Sequence, residues 1–406
     1  VVGALALSLA PLFWQRTIFA ETYAPAASMI ASIWLLILLW ERAQNPWYLF
    51  VAGLLGGLSL GIHSTVIMTG VSVLVFMLLK ARHRKDWLFA GSGAILGLTL
   101  TFLAFLYLDY NNPPSSIYNT AYITNLSTYQ LSPDQFGTPM GRLFAIFPAE
   151  SFWVYYFSAE PGEIRRRLSE YIIAFPVWEL ALILLGVISL FFDKKRIASA
   201  LYALLVFLLI WGFAVTVEFS VYSEFYGPVS VVVYVWLGLG VSAFLHGMEI
   251  FFAKSKLDLK FHKLVTALLW LVFVIGVISH SREDITLAIR SGYTTFIRDE
   301  SIYPYFKPDR YTRLAERVLR KVEDDAIVFA IWDRLYSYVY TAHVEQGRTS
   351  IKFHEVWPRL GETTLEYIAE NIDEHPIYFT TLHPEISFYY DLEQVGDQLY
   401  RLKKKE

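Results

Sequence analysis

The chain is predicted to be a polytopic α-helical membrane protein that carries a small α/β domain at its C-terminal end. Three observations predict it. Apolar runs of roughly membrane-spanning length alternate with short charged turns through the first hundred residues. Of 406 residues, 55% are hydrophobic, 17% aromatic and only 17% charged, with a mean hydropathy of +0.42, the balance of a chain whose solvent is largely lipid. From about residue 281 the apolar runs give way to short helix-like and strand-like patterns of soluble character.

Composition also removes whole classes of function. With no cysteine there is no disulfide, no thiolate metal ligand and no cysteine nucleophile. A formal net charge of −3, without a basic run interleaved with base-stacking aromatics, sets nucleic acid aside as a partner.

Taken in order, the apolar runs predict nine membrane segments at about 1–14, 23–40, 47–62, 65–80, 87–108, 172–192, 197–217, 229–245 and 264–280. The first is short for a bilayer, lacks the charged start of a signal peptide and opens on Val1, so the sequence is expected to begin inside a helix, with residues missing upstream. Gly53, Gly57 and Gly61 lie four apart on one segment, a spacing that predicts close helix packing. Loop charges give the orientation. Lys80, Arg82, Arg84 and Lys85 lie in one turn, Lys194, Lys195 and Arg196 in a second, and Lys254, Lys256, Lys260 and Lys263 in a third. If every segment crosses once, all three turns share a side, which the positive-inside bias makes cytoplasmic.

The opposite side then receives the turn Gln15 to Thr22, the turn at His63, a long loop at 109–171, the turn Glu218 to Pro228 and everything after Ser281. Arg165, Arg166 and Arg167 sit in that long loop, against the charge bias, and fit an interfacial helix whose arginines reach lipid phosphates. Leu143 to Phe157 is apolar but short and holds Pro148 and Glu150, so it is expected to be interfacial or re-entrant. Asn125-Leu126-Ser127 has the form of a glycosylation sequon, which matters only in a secretory pathway that reads it.

The domains expected are therefore a multi-spanning membrane domain at 1–280 and an extracytoplasmic α/β domain at 281–406. Within the latter, helices are expected over 310–322 and 365–372, and strands over 326–331, 377–381 and 397–403. No phosphate-binding glycine loop appears there, and His343, His354, His375 and His383 lack metal spacing, which makes them structural or surface histidines.

Ionisable groups at a membrane rim are functional candidates, and the densest set is Arg16, Glu21 and His63, on two turns that emerge on one side. Each also has a plain structural reading. Glu21 favours the start of a helix that Thr22 caps and Pro25 opens, while His63 ends one helix and Ser64 caps the next.

The order Phe13-Trp14, Ala20-Glu21-Thr22-Tyr23, an apolar helix and Gly57-Leu58-Ser59-Leu60-Gly61-Ile62-His63 resembles the pattern of the protein O-mannosyltransferase-like membrane family, which is itself similar to the GT-C glycosyltransferases. The match covers Phe13 to His63. It implies a GT-C-like helical bundle in the inner or plasma membrane that moves a sugar from a polyprenyl-phosphate carrier to a glycan or protein acceptor on the outer face. In that family an acidic residue of the first outer loop is the general base, a position expected upstream of Val1. Catalytic support would come from Glu21, orienting the acceptor or a divalent cation, and from His63, hydrogen-bonding sugar or phosphate. Phosphate contacts would come from Arg16 and Arg165, Arg166 and Arg167. The metal requirement is left open. Two rival readings stay open as well, a lipid or solute transporter of the flippase kind and a non-catalytic membrane scaffold, although no inverted repeat favours transport.

Overall fold

The computed structural model describes residues 1–10, 13, 22–146, 155–192, 196–218, 225–254, 259–282, 310–357 and 359–405. Each of the nine apolar runs contains a helix: α1 (Val2–Leu9), α2 (Tyr23–Ala43), α3 (Trp47–Ser59), α4 (Val66–Lys80), α5 (Arg84–Asn111), α9 (Val177–Phe192), α10 (Ile197–Thr216), α11 (Tyr226–Lys254) and α12 (Leu259–His280). Between α5 and α9 lie α6 (Pro133–Phe136), α7 (Pro139–Ile146) and α8 (Pro161–Ile173). Among the described residues five helices, α2, α5, α10, α11 and α12, are long and apolar enough to cross a bilayer, and α8 with α9 makes a sixth candidate. That pair bends by 96°, because Pro176 cannot continue the helix that ends at Ile173. Thirteen residues in α3 and fifteen in α4 fall short of a full span.

The chain divides into two compact units, 1–102 with 154–306 and 103–153 with 307–406. In the first, α11 is the hub, burying Val229, Val232, Val233, Trp236, Leu237 and Val241. Helix α2 contributes Ala26, Ile30, Ile33, Ile37 and Trp40 at helical spacing, and α10 adds Val206, Ile210 and Phe213. On the periphery, α12 leaves Leu264, Leu268, Leu271, Val272 and Ile275 uncovered, and α5 does the same with Leu88, Ile95 and Leu100. Rows of exposed leucine are untenable in water and ordinary in hydrocarbon, so this is an integral membrane protein.

Small residues set the closest helix approaches. A Cβ on Gly57 would stand 2.5 Å from Leu98 N, and one on Gly97 2.3 Å from Leu54 O, so α3 and α5 meet backbone to backbone. Gly61 closes on the Thr101 side chain, whose hydroxyl donates to Gly57 O at 3.1 Å. Helices α9 and α11 meet in the same way at Gly186 and Gly240.

The second unit is built on a five-stranded sheet, ordered β2-β1-β3-β5-β4, from β1 (Ile327–Ala330), β2 (Lys352–Glu355), β3 (Ile377–Phe379), β4 (Tyr390–Gly396) and β5 (Leu399–Lys404). The first three strands are parallel, with Ile327 opposite both Lys352 and Ile377, and β5 runs antiparallel to β3 and β4. Alternation divides the core. Val328 and Ala330 face α13 (Arg310–Leu319) and α14 (Trp332–Val339), while Ile327 and Phe329 pack with Ile368 of α15 (Glu362–Asn371). Residues 118–136 add a small aromatic cluster of Tyr118, Tyr122, Tyr129 and Phe136 against Trp357. Arg142 anchors its far side, gripping both Asp109 oxygens at 2.6 and 2.8 Å and donating to Phe136 O. Helix α7 covers the start of the segment expected to be interfacial; residues 147–154 lie outside the described set.

Candidate functional site

His63 lies in the turn between α3 and α4, fixed by its backbone N–H donating to Ser59 O at 2.9 Å. Thr65, and not Ser64, holds the cap position of α4, and it makes no capping bond through its side chain. Its hydroxyl lies 2.7 Å from His63 Nδ1, and its backbone N–H donates to the same nitrogen at 3.2 Å. A ring nitrogen that accepts a backbone N–H carries no hydrogen, so the proton is assigned to Nε2. Burial pushes the imidazole down to about 4, which keeps it neutral at physiological pH. His63 is thus a neutral, oriented donor rather than a cation.

Aromatic rings surround it. Tyr23, from the first turn of α2, lies tilted against it at 4.8 Å, and Phe225, just before α11, meets both His63 at 5.9 Å and Tyr23 at 5.5 Å. Phe225 in turn contacts Phe213 near the end of α10 at 5.2 Å, and Phe213 touches Tyr156 and Phe157. The ends of α2, α10 and α11, the turn between α3 and α4 and the segment at 155–157 therefore converge on one aromatic wall. Thr22 occupies the cap position of α2, again without a side-chain bond, and Pro25 sits in the first turn.

The three consecutive arginines of α8 point to different partners. Arg165 is exposed. Arg166 pairs with Glu163 at 2.7 Å and Glu170 at 2.5 Å. Arg167 is buried and donates to Val217 O at 2.5 Å and Val215 O at 3.4 Å, capping the C-terminal end of α10 as a cation suits a helix C-terminus. Because α10 also carries Phe213, the arginine helix is joined by direct contacts to the wall around His63. Arg16 and Glu21 lie outside the described residues, as does Trp14. Among the described residues no group of three or more potential ligands is placed to hold a metal ion.

Sequence reasoning singled out His63 but not Phe225, Phe213 or Thr65. Tyr23 stands within the quoted motif, and its hydroxyl and ring were open to notice. Nothing local marks Phe225, whose contact with His63 exists only once α11 is packed. The sequon asparagine, Asn125, is 1% exposed and donates through Nδ2 to Ala121 O and Glu355 O, so the folded unit does not present it to a glycosylating enzyme.

Comparison with known proteins gives one family finding. Residues 1–87 match the family model described as the protein O-mannosyl-transferase TMEM260 N-terminal domain, a span that contains all of the stretch from Phe13 to His63. No curated protein sequence matches the chain. Among solved structures, the crystal structure of ArnT from Cupriavidus metallidurans in the apo state is similar over 99% of this chain and 82% of that one, at 13% identity and a TM-score of 0.37.

Proposed function

We propose that the chain is a membrane glycosyltransferase of the GT-C kind, moving a sugar from a polyprenyl-phosphate carrier to an acceptor hydroxyl on the outer face. The observation that carries this reading is the match of residues 1–87 to an O-mannosyltransferase N-terminal domain, together with His63 of that stretch seated as an oriented neutral donor in an aromatic wall. In the reaction the acceptor oxygen bonds to the anomeric carbon, the bond from that carbon to the carrier phosphate breaks, and the acceptor proton passes to a base. Negative charge grows on the departing phosphate, so fixed donors there lower the barrier. His63 Nε2–H serves as such a donor to sugar or phosphate oxygen. Glu21 orients the acceptor or a divalent cation, and Arg16 and Arg165 meet the phosphate. Arg166 and Arg167, engaged by carboxylates and by backbone carbonyls, hold the arginine helix in place.

The test uses protein expressed from its complete gene, labelled polyprenyl-phosphate sugar and, as control, a nucleotide sugar. Transfer from the lipid donor alone is expected. His63→Ala is expected to lower transfer by roughly ten-fold or more, about 1.4 kcal/mol of transition-state stabilisation, at an unchanged melting temperature. Since His63 is neutral above about 4, its removal leaves the pH profile between 5 and 8 unaltered in shape. Lipid movement across the bilayer without any sugar transfer overturns the reading in favour of a flippase, and parallel loss of folding and activity assigns His63 a structural role.

A further inference from the structure

The five-stranded sheet has an open edge at β2, and the residues 118–131, which precede α6, lie along it. Contacts from the two adjacent strand residues His354 and Glu355 hold them there. His354, 4% exposed, donates from Nδ1 to Asn119 O at 2.8 Å and accepts at Nε2 from Tyr367 OH at 3.0 Å. Glu355, 6% exposed, accepts from Tyr129 OH at 2.9 Å, while its carbonyl accepts from Asn125 Nδ2 at 2.9 Å. Thr364 and Thr363 of α15 donate to Thr124 O at 2.7 and 3.1 Å. An unpaired strand edge is thereby covered by side chains rather than by another strand.

We propose that His354 and Glu355 form a matched base and acid pair that keeps the 118–131 segment clasped to β2 across a broad pH range, a conformational device separate from sugar transfer. Neither residue of such a pair titrates against the clasp alone. The groups facing Glu355 are Tyr129, Tyr336 of α14 and Trp357, with Tyr122 behind Tyr129; those facing His354 are Tyr367 of α15 and, on its own strand, the exposed Lys352. Among the described residues no facing group is a carboxylate, and burial is the largest influence on both residues. It raises Glu355 to about 7 and lowers His354 to about 4.

The proton balance follows from these positions. Released from the segment, the pair returns towards the ordinary values of 4.5 and 6.5. From 4.5 to 6.5 the closed pair holds one proton, on Glu355, and the open pair holds one, on His354. Opening therefore takes up no net proton, and the clasp is indifferent to pH in that window. With Glu355→Gln, opening takes up a proton below about 6.5, so each unit fall in pH favours it by up to about tenfold. With His354→Asn, opening releases a proton, so each unit rise up to about 7 favours it by a similar factor.

Hydrogen exchange of the amides at 118–131 and 352–356, in the full chain in lipid nanodiscs and normalised for intrinsic rate, reads the opening equilibrium directly. Between pH 4.5 and 6.5 the wild type is expected to vary by less than about threefold. Glu355→Gln should open roughly 40-fold more at the acid end than at the neutral end, and His354→Asn the reverse. A steep wild-type profile, or two flat variants, overturns the proposal. Should either variant lose protection of 352–356 at every pH, infrared spectroscopy of the wild type decides: a protonated Glu355 carboxyl at pH 6 supports the pair, and an ionised one overturns it.

Discussion

Arg167 shows how far a residue's role depends on what surrounds it. In the sequence it is one of three equivalent arginines beside a membrane segment. In the structure its guanidinium donates to the carbonyls of Val215 and Val217 at the end of α10, while Arg165 is exposed. Arg167→Leu is expected to destabilise the protein by about 1–3 kcal/mol, the cost of leaving such carbonyls unsatisfied, and Arg165→Gln to leave the melting temperature unchanged. Thermal unfolding in detergent compares them; equal melting of both variants would show that the Arg167 bonds contribute nothing. His63 stands out in the sequence as a candidate because it closes a recognisable motif. Glu355 does not, because a glutamate in a polar strand acquires its significance only when Tyr129 and Tyr336 cover it.

At the level of elements, hydrophobic periodicity is a good guide to where helices lie and a poor one to how they end. The run expected at 172–192 contains the last two residues of α8, the break at Ala174 to Pro176 and all of α9, since apolarity continues across a proline that the helix cannot. Strands β1, β3 and β5 were foreseen within a few residues. Strands β2 and β4 were not: each holds only one or two strongly apolar positions set between charged or polar residues, a pattern as common in loops, and they become strands through their neighbours. The glycine spacing on α3, by contrast, pointed to a contact that the structure contains, with Gly93 and Gly97 of α5 as the unforeseen counterpart. Gly57→Ala places a Cβ against backbone that has no rotamer to yield and is expected to cost about 1–3 kcal/mol, whereas Gly56→Ala, with nothing within 4 Å, is expected to be neutral or slightly stabilising. Matched melting temperatures for the two alanine variants would mean that α3 and α5 separate at no cost.

For the whole molecule, the decisive quantity is which side of the bilayer each loop faces, and the short helices make the orientation more secure than a bare count of spans. Helices α3 and α4 are about 20 and 22 Å long at 1.5 Å per residue, less than a hydrocarbon core of about 30 Å. Whether both cross or both turn back, the chain leaves α4 on the side from which it entered α3, so only the depth of His63 changes. If α2, α5, the α8–α9 pair, α10, α11 and α12 each cross once, they alternate, and the basic sequence stretches at 80–85, 194–196 and 254–263 fall on one side. The positive-inside bias then predicts that Arg82 and Lys254 are cytoplasmic and that Asp134 and Glu345 are outside. Because the chain has no native cysteine, single cysteines at these four exposed positions can be probed in intact cells with a membrane-impermeant reagent. Labelling is expected at Asp134→Cys and Glu345→Cys alone until the membrane is permeabilised. Early labelling at Lys254→Cys would invert the last crossing and place the α/β unit on the cytoplasmic side, where a polyprenyl-phosphate donor presented at the outer leaflet is out of reach.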